Sequence, residues 1–283
     1  MTAVPEDLRT IVELALAEDA PAGDLTTQLV VAEDATCRAE LRASARGVVA
    51  GVRTASAVFD LVAEQNGGGV VDLDWEVKDG DSVSPGERLC LITGPARVIL
   101  RAERVAINFL SHLSGVATMT RAFVEAARPA EVLCTRKTVP GLRALQREAV
   151  LAGGGSLHRA SLSEAVLIKE NHQRVAGGIA EAVRRARARG APVEIEVETL
   201  EELDEALRAG ADRILLDNPS PELVREATSR AGGPDRIEIS GGVTLDSVGS
   251  LVEAGARLVS VGRLTHSAPA LDMSLEVIDA RSI

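Results

Sequence analysis

The pattern of apolar and polar positions changes near Pro129. Before that residue, apolar positions recur partly at helical and partly at strand spacing, and the pairs Asp79-Gly80 and Pro85-Gly86 indicate turns. This part is therefore predicted to be a mixed α+β unit. Its helices are predicted over 8–17, 54–65 and 98–127, and its strand-like or short apolar segments over 36–45, 70–77 and 88–93.

After Pro129, short β-branched runs alternate with helical segments. Several helices carry start or stop signals: Thr199 with Glu202 forms a capping-box pattern, Ser220 precedes a first-turn proline, and Gly210 and Gly255 follow helical segments. Strand–helix alternation predicts a parallel sheet, and six repeats favour a barrel over an open sheet. The strands are predicted over 131–134, 165–168, 193–197, 213–216, 236–239 and 258–261.

Polar, charged or glycine residues follow all six predicted strands. The ends of such strands lie on one face of a barrel of βα units, where enzymes of this architecture keep their active sites. The residues that follow the strands, in chain order, are Thr135, Arg136 and Lys137; Lys169, Asn171 and His172; Glu198; Asp217; Ser240, Gly241 and Gly242; and Gly262 and Arg263.

The charged residues at these strand ends divide into two kinds. The basic ones are suited to a substrate with several negative charges, because guanidinium groups bind carboxylate or phosphate in a bidentate manner. Glu198 and Asp217 are placed to share Mg²⁺ through oxygen ligands. The predicted basic group consists of Arg136, Lys137, Arg159 and Lys169, with His158 beside them.

Two further features refine this picture. Gly241-Gly242 precede a helix that begins near Thr244 and, with Gly262, expose backbone N–H groups to a phosphate. Lys169 ends an apolar strand, so it requires either an anionic partner or a Schiff-base role. Acidic residues alternate with apolar ones over 194–198. This alternation fits an edge strand with one solvent-exposed face and a polar barrel interior equally well.

Composition narrows the function classes. A formal net charge of −11 argues against general affinity for nucleic acid or anionic membranes. No apolar run reaches the length of about 20 residues that a membrane helix needs, and the acidic N-terminus lacks the features of a signal peptide. Cys37, Cys90 and Cys134 are widely separated and odd in number. We therefore expect a cytoplasmic enzyme without disulfide bonds.

Several motifs, taken in order, resemble the quinolinate phosphoribosyltransferase family, also called nicotinate-nucleotide pyrophosphorylase (carboxylating). The resemblance spans nearly the whole chain, and the specificity of the combined motifs is high. The matching segments are Glu18-Asp19 with 23–27, Arg104 through 108–110 to 113–115, 135–143, 153–155 leading to His158-Arg159, 167–169 leading to Asn171-His172, 196–198, 215–218, 239–243 and 260–272.

The resemblance implies an α/β fold with two domains. The first is an N-terminal α/β sandwich over 1–112, joined by the tail 267–283, and the second is an incomplete parallel α/β barrel over 113–266. It also implies a homodimer with a shared active site, in which Arg104 crosses to the partner subunit.

The resemblance further implies a pentosyl transfer. Phosphoribosyl pyrophosphate and quinolinate would give nicotinate mononucleotide, pyrophosphate and CO₂, a step of NAD biosynthesis. Two pyridine carboxylates would be bound by Arg104, Arg136, His158, Arg159 and Lys169. The phosphoribosyl group, its phosphates and Mg²⁺ would be bound by Lys137, Glu198, Asp217, Ser240, Gly241 and Gly262, with Gly242 and Arg263 beside them.

Three alternatives stay open on the sequence. Leu157, Glu164 and Glu170 depart from the family pattern, and the segments 156–159 and 162–164 resemble a molybdenum-operon paralogue that uses another carboxylated heterocycle. A barrel aldolase would use Lys169 as a Schiff-base nucleophile. The turn-rich segment 77–91 resembles that of lipoyl- or biotinyl-carrier domains, for which Lys78 would be the modified lysine.

Overall fold

The computed structural model of the protein describes Val4 and residues 6–281. The outermost residues of the predicted N-terminal domain and of its tail, 1–3 and 282–283, lie outside the described residues. None of the helices in the described part of the chain combines the length and the apolar character needed to cross a membrane.

Eleven α-helices and one 3₁₀ turn, Pro234–Arg236, are present in the described residues. The helices are α1 Glu6–Asp19, α2 Leu25–Val30, α3 Val52–Gln65, α4 Ala96–Ala126, α5 Arg143–Ala152, α6 Glu170–Ala176, α7 Ile179–Arg187, α8 Leu200–Arg208, α9 Pro221–Arg230, α10 Leu245–Glu253 and α11 Arg263–His266.

Twelve strands accompany these helices within the same described residues. They are β1 Thr36–Ala43, β2 Gly47–Val48, β3 Asp72–Trp75, β4 Ser82–Val83, β5 Arg88–Pro95, β6 Glu131–Leu133, β7 Val166–Ile168, β8 Val193–Val197, β9 Arg213–Asp217, β10 Ile237–Ser240, β11 Leu258–Ser260 and β12 Met273–Arg281.

The chain divides into two compact units. The first contains the residues up to Met119, Pro140–Gly153 and the residues from Ala268 onward, and the second contains Thr120–Val139 and Gly154–Ser267. The long helix α4 therefore contributes residues to both units.

The first unit is built on a four-stranded antiparallel sheet of order β12-β1-β5-β3. Helix α3 buries Ala55, Val58, Phe59 and Val62, which recur at helical spacing on one side. The carboxylate of Asp79 accepts hydrogen bonds from the N–H groups of residues 51 and 52 at 2.9 and 3.0 Å, so the predicted turn caps the start of α3.

The second unit contains a six-stranded parallel sheet of order β6-β11-β10-β9-β8-β7. All six strands predicted from the sequence are present, and the mixed α/β class is confirmed. The strands β6 and β7 are neighbours in the chain but form opposite edges of the sheet, so this sheet does not close on itself within the described residues. All six strands run the same way, and their carboxyl ends share one face.

Most of the predicted helix signals are confirmed. The hydroxyl of Ser220 accepts a hydrogen bond from Leu223 N–H at 3.2 Å, and Gly210 and Gly255 follow helices with φ of +91° and +114°. The capping box at Thr199 is only half formed. Its hydroxyl accepts from Glu202 N–H at 3.2 Å, but the Glu202 carboxylate accepts from the N–H of residue 198 instead.

Candidate active site

The carboxyl ends of the six parallel strands surround a cavity of about 850 Å³ in the second unit. Most of the predicted site residues line it, but Arg104 and Glu198 do not, and neither do Asn171 and His172, which follow β7. The predicted residues in the lining are Arg136, Lys137, His158, Arg159, Lys169, Asp217, Ser240, Gly241, Gly242, Gly262 and Arg263.

Glu198 is exposed and does not line the cavity, and Glu196 lines it instead. Strand β8 buries Val193, Ile195 and Val197 and leaves Glu196 on its other face. The chain leaves the strand after Val197, and the N–H of Glu198 is bound to the Glu202 carboxylate at 2.8 Å in the first turn of α8. The structure thus places Glu196, and not the expected Glu198, beside Asp217 in the cavity lining.

Arg104 lies on α4 in the first unit, and its side chain is exposed. Its expected role in the active site of a partner subunit stays a prediction.

The acidic side of the cavity is formed by Glu196 and Asp217. Burial raises the pKa of Asp217, and the neighbouring Glu196 carboxylate raises it further, while Lys169 and Lys137 act in the opposite direction. Lys169 forms an ion pair with Glu196. This ion pair supplies the anionic partner that the position of Lys169 at the end of an apolar strand requires.

Lys137 is held at the cavity by its backbone. Its carbonyl accepts a hydrogen bond from the hydroxyl of Thr265 at 2.7 Å, and its N–H donates to the hydroxyl of Thr135 at 3.1 Å. A Cβ atom added to Gly262 would lie 3.1 Å from Cδ of Lys137, so glycine at this position leaves room for the lysine stem. The ammonium group acts on Asp217 across the cavity.

The basic side contains Arg136, His158 and Arg159. The Arg159 guanidinium donates to the carbonyl of Ala165 at 3.0 Å. Burial lowers the pKa of Arg159, and the nearby Arg136 guanidinium lowers it further. Two guanidinium groups close enough to act on each other form a strongly positive region, which suits a ligand with more than one carboxylate.

Gly241 and Gly242 form the turn between β10 and α10. Both have positive φ, +81° and +55°, and Thr244 caps the following helix by accepting from Ser247 N–H at 3.2 Å. A Cβ atom on Gly241 would lie 2.5 Å from a carboxylate oxygen of Asp217. The turn therefore requires glycine both for its conformation and for its proximity to the acidic side.

We expect Gly241→Ala to weaken the binding of inorganic pyrophosphate and to lower stability. Alanine in the left-handed region costs about 1–2 kcal/mol, and here its Cβ also displaces Asp217. The matched control is Gly232→Ala in the same unit: its φ is +80°, and an added Cβ would meet none of the described atoms within 4 Å. Thermal unfolding should show the backbone cost in both variants and a larger loss of stability in Gly241→Ala, and calorimetric titration measures the affinity for pyrophosphate. Only Gly241→Ala should lose pyrophosphate affinity, and equal affinities would contradict this account of the turn.

The polar cavity residues that were not assigned to the site from the sequence include Glu196, Glu238, Ser260, His266 and Ser267. A signal existed for Glu196, because the alternation over 194–198 was compatible with a polar barrel interior. Glu238 stands between two isoleucines in a buried strand, and this isolated acid in an apolar run is the signal that could have found it.

The three residues that depart from the family pattern lie outside the cavity lining. Leu157 is exposed, and the carboxylate of Glu164 accepts from Ala160 N–H at 2.6 Å. Glu170 pairs with Arg174 one turn further along the short helix α6.

Comparisons with known proteins agree with this geometry. Residues 24–114 match the family described as quinolinate phosphoribosyl transferase, N-terminal domain, and residues 116–276 match its C-terminal domain. The chain is 40% identical over 265 residues to the probable nicotinate-nucleotide pyrophosphorylase (carboxylating) of Bacillus subtilis (strain 168), covering 92% of this chain and 90% of that protein. It is 39% identical to the chloroplastic nicotinate-nucleotide pyrophosphorylase (carboxylating) of Arabidopsis thaliana, with 96% and 83% covered.

Solved structures show the same similarity. The nicotinate-nucleotide pyrophosphorylase from Francisella tularensis superposes with a TM-score of 0.89 at 37% identity, covering 97% of this chain and 98% of that chain. NadC from Streptococcus pyogenes gives a TM-score of 0.88 at 36% identity, with 99% and 100% covered. The motifs, the cavity and these matches over almost the full length lead to one conclusion: the chain belongs to the quinolinate phosphoribosyltransferase family.

Proposed function

We propose that this protein transfers the phosphoribosyl group of phosphoribosyl pyrophosphate to quinolinate. One carboxylate is lost as CO₂, and nicotinate mononucleotide and pyrophosphate are the other products, so the enzyme supplies NAD biosynthesis. The observation that carries the proposal is a single cavity with two chemically different sides. Arg136 and Arg159 stand on the basic side, and Glu196, Asp217 and a glycine turn stand on the other.

The basic side fits the two adjacent carboxylates of quinolinate. Arg136 and Arg159 are near enough to perturb each other electrostatically, and a dicarboxylate placed between them would neutralise both. Lys169 extends this side, although its ammonium is shared with Glu196. Nicotinate carries one carboxylate and would leave part of this positive charge without a counterion, so the cavity favours quinolinate.

The other side fits the phosphates and the ribose. Backbone N–H groups of the turn at Gly241-Gly242 and of Gly262 would bind phosphate oxygens, with Ser240 and Arg263 beside them. Lys137 lies beside Gly262 and acts on Asp217, where its charge would neutralise the departing pyrophosphate. These residues position and neutralise charge, and none of them needs to form a covalent bond with the substrate.

Glu196 and Asp217 are suited to Mg²⁺, because the Glu196 carboxylate raises the pKa of its half-buried neighbour Asp217, and a hard cation with oxygen ligands would stabilise the two negative charges. Mg²⁺ bound here would supply charge neutralisation for the pyrophosphate group. The same two carboxylates would stabilise positive charge on the ribose carbon as the bond to pyrophosphate breaks.

The chemistry after bond formation requires no further nucleophile from the protein. The ring nitrogen of quinolinate attacks the ribose carbon and becomes a pyridinium nitrogen. The cationic ring then accepts the electron pair of the breaking C–C bond when the adjacent carboxylate leaves as CO₂, and a proton replaces that carboxylate. The role of Arg136 and Arg159 is to hold the ring in the orientation that this sequence needs.

Two further aspects belong to the proposal. We propose a homodimer with a shared active site, in which the exposed Arg104 of one subunit reaches the basic side of the other. We also propose that the protein acts in the cytoplasm, consistent with three buried, unbridged cysteines.

A coupled assay tests the reaction. With phosphoribosyl pyrophosphate and Mg²⁺, quinolinate should release pyrophosphate and CO₂ in equal amounts, and nicotinate in its place should release no pyrophosphate above background. Pyrophosphate release with nicotinate, or failure of quinolinate to react, would contradict the choice of acceptor. The second result would favour the alternative of another carboxylated heterocycle.

A further inference from the structure

A buried acid lies beneath the basic side of the cavity. The side chain of Glu238 in β10 has 0% of its surface exposed, yet one of its carboxylate oxygens, Oε1, lies 3.6 Å from Nε2 of His158. The hydroxyl of Ser260, on the neighbouring strand β11, donates to the same oxygen at 2.5 Å. A carboxyl group in such a place costs several kcal/mol in desolvation, so its retention in an otherwise apolar strand calls for an explanation.

Glu238 and Glu194 enclose the ring of His158 from two strands. Nε2 of His158 lies 3.2 Å from a carboxylate oxygen of Glu194 in β8. The other ring nitrogen, Nδ1, accepts a hydrogen bond from Arg159 N–H at 2.8 Å. Since Nδ1 accepts, Nε2 carries the ring proton and points toward the two carboxyl groups. Both nitrogens are therefore engaged, and the ring connects the buried acids to the backbone of the arginine that faces the substrate.

We infer that Glu238, with Ser260, is a positioning residue for the carboxylate-binding side of the cavity: it fixes the ring of His158 and through it the backbone at Arg159. The inference rests on the proposed function and deepens it, because it names residues that determine affinity for the dicarboxylate without touching it. Arg159 in turn is directed by its hydrogen bond to the carbonyl of Ala165.

A metal site made of His158, Glu194 and Glu238 is the competing explanation, since their ligand atoms lie within 4.8 Å of one another. The surroundings argue against it. The Arg213 guanidinium lies 3.8 Å from Oε2 of Glu238, and Arg159 acts electrostatically on His158. A divalent cation would be repelled by these guanidinium groups, whereas a hydrogen-bonded anchor is stabilised by them.

The protonation state of Glu238 guides the choice of substitutions that test its role. Burial, and then the Glu194 carboxylate, raise the pKa of Glu238 to about 7, so a neutral form is already populated near neutral pH. Glutamine has nearly the same shape and can still accept the hydrogen bond from Ser260. Leucine has a similar volume, suits an apolar strand, and cannot accept a hydrogen bond.

The experiment compares Glu238→Leu with Glu238→Gln by calorimetric titration of two probes. Phthalate, a dicarboxylate without a ring nitrogen, reports on the basic side, and inorganic pyrophosphate reports on the phosphate side. Glu238→Leu should raise the Kd for phthalate about tenfold, as expected when a buried hydrogen bond to a charged group is lost. The Kd for pyrophosphate should stay within about twofold in both variants, and Glu238→Gln should restore most of the phthalate affinity.

The KM for quinolinate should rise in parallel with the Kd for phthalate while kcat changes less. Unchanged phthalate affinity in Glu238→Leu, or an equal loss for both probes, would overturn the inference. If Glu238→Leu does not fold, Ser260→Ala decides by the same titrations, where a rise of about threefold for phthalate alone supports the inference and no change overturns it. If the unmodified protein fails to react with quinolinate, the proposed function fails, and the phthalate titrations still test the role of Glu238.

Discussion

Replacing Lys137 with alanine should lower kcat/KM by about 10²- to 10³-fold while leaving the fold intact. The ammonium group stands at the end of β6, beside the acidic side of the cavity, and its backbone is fixed by Thr265 and Thr135. Its charge is placed where negative charge grows on the departing pyrophosphate, so its removal should lower kcat more than it raises KM for quinolinate. Steady-state pyrophosphate release measures kcat and KM, and unfolding followed by circular dichroism measures stability.

The matched control for Lys137→Ala is Lys78→Ala. Lys78 is exposed in the turn after β3, in the other unit, and its N–H donates to the Asp81 carboxylate at 2.9 Å. Lys78→Ala should keep wild-type kinetics, which also tests the carrier-domain alternative, since a carrier would depend on this lysine. Near-wild-type kinetics in Lys137→Ala would remove Lys137 from the site.

The second unit was largely predictable because most residues of its strands are buried. In a parallel sheet flanked by helices, a strand appears in the sequence as a short apolar, β-branched run. Each of the six runs after Pro129 corresponds to a strand, and the ends of these strands differ from the predicted ends by no more than one residue. Glycines that end helices and caps such as Ser220 added independent signals. Local pattern and tertiary burial agree for most of these strand residues, and Glu238 in β10 is an exception.

The first unit was less predictable because much of its structure depends on pairing across long distances. The strand β12 exposes most of its residues, among them Val277 and Ile278, so no clean alternation marks it. It exists because its backbone pairs with β1, more than 200 residues earlier in the chain. The pair β2–β4 has only two residues in each strand, and the six-residue helix α2 depends on its cap at Asp24.

The rule that the active site follows the strand ends located most of the cavity and failed at two kinds of position. It identified Lys137, Lys169 and Asp217, of which Asp217 ends β9, Lys169 follows β7 directly and Lys137 lies four residues after β6. It missed Glu238, which lines the cavity from within a strand, and it selected Glu198, after the end of β8, instead of Glu196. For Lys169 the sequence left two roles open, an ion pair with an acid or a Schiff base. The ion pair with Glu196 accounts for this lysine without a Schiff base.

The second large effect is expected from a pair of variants on β8. Glu196→Gln should lower kcat/KM by about 10²-fold, because Glu196 faces the cavity beside Asp217 and also binds Lys169. Glu198→Gln should stay within about twofold of wild type, as surface substitutions away from the site do. The two residues are chemically identical and separated by one valine, so the pair isolates the direction in which the side chain points.

Magnesium dependence separates the possible causes of the loss in Glu196→Gln. If Glu196 helps to hold the cation, the Mg²⁺ concentration that gives half-maximal rate should rise in Glu196→Gln and stay unchanged in Glu198→Gln. If Glu196 acts only through Lys169, KM for quinolinate should rise instead, and the Mg²⁺ response should not move. The reverse ranking, with Glu198→Gln the more impaired variant, would show that the acid after the end of β8 shares the site with Asp217, as the strand-end rule first indicated.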